Sequence, residues 1–114
     1  MHPLHHGPSL RFYLDADLYR RTDALLSHIE SNDKASQHAK AFAELVNELT
    51  DSGLNYFFVE PLRQANAGYM AQKTAQIGMA SVAKIAKPIV RKLISGLNDE
   101  QLKAVGAYVR RILH

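Results

Sequence analysis

The chain has no cysteine and no tryptophan. Without a thiol there is no disulfide framework, no thiolate-bound zinc or iron–sulfur cluster and no cysteine nucleophile. Its six glycines are scattered, so neither a GxGxxG nor a GxxxxGK[ST] phosphate-binding loop occurs. The GxSxG elbow of hydrolases and the HExxH helix of zinc proteases are missing as well. Long apolar runs are also wanting. The most apolar stretch, 77–97, contains Lys84, Lys87, Arg91 and Lys92, and four cations in about 20 residues make a poor transmembrane helix. Residues 1–9 hold no Lys or Arg and no apolar stretch of signal-peptide length, and the last four match no lipidation or retention signal. These absences point to a cytoplasmic protein with no transmembrane segment.

Acids are missing from a third of the chain. Residues 1–60 hold 5 basic and 9 acidic side chains, net −4, whereas residues 61–114 hold 9 basic and 2 acidic, net +7. Between Pro61 and Asn98 there are six basic residues and no acid. At 100° per residue Lys84, Lys87 and Arg91 share one helical face, joined by Lys73 if the helix continues across Gly78, with Lys92 close by. A row of cations without interleaved acids repels itself on an isolated helix. Three arrangements relieve this: acids of the first half facing the row in the same fold or in a partner subunit, contact with phosphate of nucleic acid or an anionic membrane, or plain solvation. Only Tyr69 and Tyr108 lie in the basic half, too few aromatics for a stacking platform, and no recognition-helix pattern appears.

What is present is ordinary for one domain: 114 residues, 46% hydrophobic and 22% charged, enough for one core and not two. Residues 1–9, with two Pro, one Gly and three His, read as a flexible leader; residues 10–114 read as a single helical domain. Leu10–Leu14 is either an extended lead-in or a helix start. Asp15 or Asp17 suits the cap of a first helix whose apolar positions are Leu18, Thr22, Leu25, Leu26 and Ile29. Ser31-Asn32-Asp33 breaks it and caps the next, which carries Ala35, Ala39, Phe42, Leu45, Val46 and Leu49 on one face. Gly53 suits the left-handed stop of that second helix.

Tyr56-Phe57-Phe58 has strand-like propensity, but a lone strand without a partner forms no sheet. A buried helical turn is expected instead, with Pro61 early in a third helix running to about Gln76. From Ile77 to Ser95, Met79, Val82, Ile85, Ala86, Ile89, Leu93 and Ile94 recur at three- and four-residue steps, and Pro88 predicts a kink or a break near Lys84–Lys87. Asn98-Asp99-Glu100-Gln101 is a capping-box start for a last helix that offers Leu102, Val105, Val109, Ile112 and Leu113 to a core. The fold class is therefore all-α: a single compact bundle of four to five short helices joined by short connections.

Three groups of residues are candidates for function. Ala67, Gly68, Ala71, Ala75 and Gly78 line up as small side chains that admit a second helix at close range, either within the chain or as the seam of a homodimer. Lys73, Lys84, Lys87, Arg91 and Lys92 form the basic 73–92 face. Tyr56 and Glu60, one turn apart beside Phe57 and Phe58, are the first place to look for a polar pair in an apolar pocket. Glu44 and Glu48, one turn apart on the second helix, are expected to face water. His28, Glu30, Asp33 and His38 cluster in sequence, but turn residues of these types are common, and no metal ligand set, cofactor or catalytic residue is assigned. The reading that follows is a non-enzymatic interaction or scaffold protein that associates with itself or another protein. The alternative is a binder of anionic surfaces through the basic face, and a small enzyme or metal-binding protein is third.

Overall fold

The computed structural model describes Pro8 and residues 10–114. The expected leader, residues 1–9, otherwise lies outside the described residues. The described chain is all-helical, with no strand among its residues. It comprises α1 (Ala16–Ser31), a 3-10 turn (Ala35–His38), α2 (Ala39–Leu54), a π-helical turn (Asn55–Val59), α3 (Glu60–Gln64), α4 (Tyr69–Ser95) and α5 (Asp99–Ile112).

Local chemistry explains most of the boundaries. Residues 10–15 are non-helical, so the first segment is the extended lead-in. Asp15 caps α1, its Oδ1 accepting the Leu18 N–H at 2.8 Å. The apolar positions expected of this helix are the ones it buries: Leu18, Thr22, Leu26 and Ile29, with Leu25 half-buried. The Thr22 hydroxyl donates back to the Leu18 carbonyl at 2.7 Å, which lets it sit fully inside. Asn32 ends α1 and its side chain accepts the Lys34 N–H. Asp33 does not cap the next helix. Asp99 of α5 reaches across instead, and its carboxylate accepts the Ser36 N–H at 2.7 Å. At α5 the capping box is complete: Gln101 N–H to Asn98 Oδ1 at 2.8 Å and Asn98 N–H to Gln101 Oε1 at 3.0 Å.

The second helix does not stop at Gly53. Gly53 remains helical, and the ring of Phe12 lies 3.4 Å from where its Cβ would stand. The glycine makes room for the lead-in rather than a left-handed turn. Helical backbone then passes through the π turn, where the Glu60 N–H bonds the Asn55 carbonyl five residues back, into α3. The reason lies in Pro61. Proline has no N–H for the Phe57 carbonyl, and its ring crowds that carbonyl; a wider turn just ahead of it relieves the crowding. This rod ends in a Schellman motif: Ala67 N–H to Leu62 O at 2.9 Å and Asn66 N–H to Arg63 O at 3.1 Å. Asn66 takes the left-handed conformation, φ 56°, where asparagine is the usual substitute for glycine.

The third helix is therefore much shorter than expected and the fourth much longer. Gly68 lies outside any helix interior as the N-cap residue of α4. Gly78 marks no break, and α4 runs on through Pro88 without division. Its 27 residues make a rod about 40 Å long.

Ion pairs fix the layout. Glu44 meets Arg91 and Asp51 meets Lys87, so α4 returns antiparallel along α2. Asp23 and Glu30 meet Arg110, so α5 runs against α1. The core sits where these pairs come together, among Leu26, Ile29, Ala35, Ala39, Phe42, Ala43, Ile94 and Leu102. Gly106 brings α5 close to α1: a Cβ there would stand 3.4 Å from Ile29 Cγ2 and 3.7 Å from Leu26 Cδ2. The core stripe of α5 accordingly runs Leu102, Gly106, Val109 and Leu113, while Val105 and Ile112 turn outward at 36% and 49% exposure. The radius of gyration, 16.0 Å, exceeds the roughly 13 Å of a compact chain of this length.

Candidate interaction surface

The large apolar residues of α4 do not all turn into the core. Only Ala83 and Ile94 of this helix are buried. Val82, Ile85, Ile89 and Leu93 are 48%, 69%, 55% and 66% exposed. At 100° per residue these four, with Ala71, Ala75 and Gly78, fall within an arc of about 80°. They recur at steps of four, three, four, three, four and four, close to the spacing of a helix–helix seam. The arc lies on the side of α4 turned away from α2; among the described residues α4 makes its main contacts with α2, the π turn and α3.

The small residues divide accordingly. Ala67 lies in the loop before α4, where its carbonyl accepts the Gln72 side chain at 2.7 Å, and Gly68 precedes the helix. Neither Gly68 nor Gly78 has any heavy atom within 4 Å of a hypothetical Cβ. Close packing inside the chain is therefore not what these two glycines serve. That role falls to Gly106, which lies outside the run of small residues from Ala67 to Gly78. Its signal is nevertheless in the sequence: a glycine one turn after Leu102 on the apolar stripe of a well-capped helix.

The basic face also divides. Arg91 grips Glu44 with Nε–Oε1 at 2.6 Å and Nη2–Oε2 at 3.2 Å, and Lys87 Nζ lies 3.0 Å from Asp51 Oδ2. The Arg91 guanidinium holds the Glu44 carboxyl below its ordinary value, and the carboxylate in turn raises Arg91. Lys73, Lys84 and Lys92 make no ion pair with a described residue. The charge imbalance between the halves is thus relieved within the fold at Lys87, Arg91 and Arg110. Glu44 and Glu48 are not idle surface carboxylates. Glu44 ties α2 to α4, and Glu48 ties α2 to α1 through a two-pronged contact with Arg21 at 2.7 and 2.9 Å, which lowers the Glu48 carboxyl.

Tyr56 and Glu60 do not converge on a pocket. Tyr56 is 36% exposed, and its ring meets Phe57 edge-to-face at a centroid distance of 5.3 Å and Phe12 at a tilt at 6.0 Å. Glu60 is held by Arg63 and Gln64 of its own helix. Phe57 and Phe58 are 38% and 55% exposed, so the expected burial of this aromatic turn falls to Val59 alone. A groove of about 520 Å³ opens on another side of the same turn, between Asp51, Leu54, Asn55 and Val59 and the α4 residues Gln76, Met79, Ala80, Ala83, Lys84 and Lys87. Its one carboxylate, Asp51, is engaged by Lys87.

The four residues clustered near the first connection do not converge on one point. The His28 and His38 rings stack at 5.9 Å, Glu30 belongs to Arg110, and Asp33 faces Lys103 at 4.0 Å. No three His, Asp or Glu side chains converge as metal ligands among the described residues. No described helix is long and apolar enough to cross a membrane. No family model, curated protein or solved structure matches the chain.

Proposed function

We propose that this protein is a non-enzymatic helical interaction module that associates with itself through the outer face of α4. One observation carries the reading: Val82, Ile85, Ile89 and Leu93 stand about half to two-thirds exposed along one continuous face. Single exposed leucines are normal on a protein surface; a contiguous apolar stripe marks a contact site. The closed two-fold dimer is the commonest way to cover such a face. Sedimentation or light scattering is expected to give a mass above that of one chain, hardly changed between low and high salt, because the contact is apolar. A monomer at high concentration would remove the proposal.

The second reading, contact with an anionic surface, is favoured by Lys73, Lys84 and Lys92, which keep their charge uncompensated on a helix without acids. It predicts retention on heparin or anionic vesicles that weakens steeply with salt. Retention that survives replacement of these three lysines by glutamate would remove it.

A further inference from the structure

We infer that two copies pair through α4 in antiparallel fashion about a two-fold axis passing Val82. The inference rests on the self-association reading and adds the geometry to it. The order of side-chain sizes along the exposed face is the starting point. Its first half carries Ala71, Ala75 and Gly78, and its second half Ile85, Ile89 and Leu93. Antiparallel pairing about Val82 sets residues equidistant from it against one another. Leu93 of one copy then lies over Ala71 of the other, Ile89 over Ala75, and Ile85 beside Gly78. Every large side chain meets a small one, the alternation that lets two helices interlock at close range. The open space at Gly78, with no atom within 4 Å of a Cβ position, receives the Ile85 side chain of the second copy.

Charge selects the same orientation. Residues 61–98 contain no acid, so a parallel, in-register pair would set Lys92 beside Lys92 at the edge of the seam with nothing to neutralise them. The antiparallel pair moves these two lysines about 30 Å apart along the rods, beyond the screening length of roughly 8 Å at physiological salt. A stable specific interface of the smallest class buries about 1,200 Å² in total, so the pairing draws on the exposed Val82, Ile85, Ile89 and Leu93 together with the side chains that flank them.

The absence of cysteine makes the test clean. Val82→Cys is expected to form a covalent dimer under mild oxidation, because a residue on the axis meets itself. Ala71→Cys and Leu93→Cys are each expected to remain largely uncross-linked alone, and to cross-link to each other when mixed. Val82→Glu is expected to weaken dimerisation by at least about tenfold, with far-ultraviolet circular dichroism unchanged. If Ala71→Cys and Leu93→Cys each cross-link to themselves, the pairing is parallel and the inference is wrong, while self-association stands. A dimer in sedimentation with no cross-link at any of the three positions likewise overturns the antiparallel geometry and leaves self-association standing. A monomeric wild-type chain removes both readings, and a monomer that binds vesicles of phosphatidylcholine and phosphatidylserine assigns the face to lipid.

Discussion

At the scale of single residues, Gly106, Arg110 and Phe42 carry more of the fold than their types suggest. Gly106 lets α5 lie against Leu26 and Ile29. A methyl group there makes ordinary contact, but a branched side chain must push the helices apart. Gly106→Leu is expected to lower stability by about 1–3 kcal/mol, whereas Gly106→Ala is tolerated; thermal melts of the two variants check this. Phe42 is fully buried in the centre of the core, and Phe42→Ala is expected to cost about 3–5 kcal/mol in denaturant unfolding. Arg110 joins Asp23, Ser27 and Glu30 of α1. Its side chain is about one-third exposed, so replacement by Gln is expected to cost about 1 kcal/mol and less in high salt.

At the scale of elements, the long α4 is the decisive feature. A proline inside a helix removes one hydrogen bond and crowds the carbonyl four residues back, yet α4 continues through Pro88. Tertiary contacts hold it on both sides: Arg91 to Glu44, Lys87 to Asp51, and Asn47, itself buried, donating to the Lys87 carbonyl at 3.4 Å. Pro88→Ala restores the missing donor and is expected to raise the melting temperature, with a gain of up to about 3 kcal/mol. A fall in stability would mean that the proline conformation is itself required by the packing of α4 on α2. The π turn ahead of Pro61 is the other place where a proline shapes an element without ending it.

At the scale of the whole molecule, carboxylates tie the helices together. Asp17, Glu44 and Glu48 are held below their ordinary values by arginine, and Asp99 by the Ser36 hydrogen bonds. Because folding lowers these values, their contribution is complete above the ordinary carboxylate range and disappears as pH falls through the depressed folded values. Stability is expected to stay level from neutrality down to the ordinary values of 4.5 for Glu and 3.8 for Asp and to decline below them. Denaturant titrations at stepped pH check this, and a Glu44→Gln, Glu48→Gln double variant is expected to show a shallower decline. A profile of unchanged steepness in that variant would mean that other acids carry the dependence.

Much of this protein was determined by local pattern alone. The α1 stripe, the Asp15 cap, the Asn98–Gln101 capping box and the all-helical class follow from three- and four-residue periodicity and from side chains that satisfy neighbouring N–H groups. Those interactions span a single turn, so the sequence carries them in full. The fate of Gly53, Gly78 and Pro88 was not legible in the same way. A glycine or proline has an intrinsic cost, but whether the helix stops there depends on what packs beside it: Phe12 against Gly53, and Asn47 and Glu44 alongside Pro88. Periodicity likewise showed that α4 has an apolar stripe without saying which way it faces. Ala83 and Ile94 turn inward and Val82, Ile85, Ile89 and Leu93 turn outward because α2 claims one side of the rod, and no further helix among the described residues packs along the other. That choice belongs to the tertiary structure, since it is made between residues about forty positions apart.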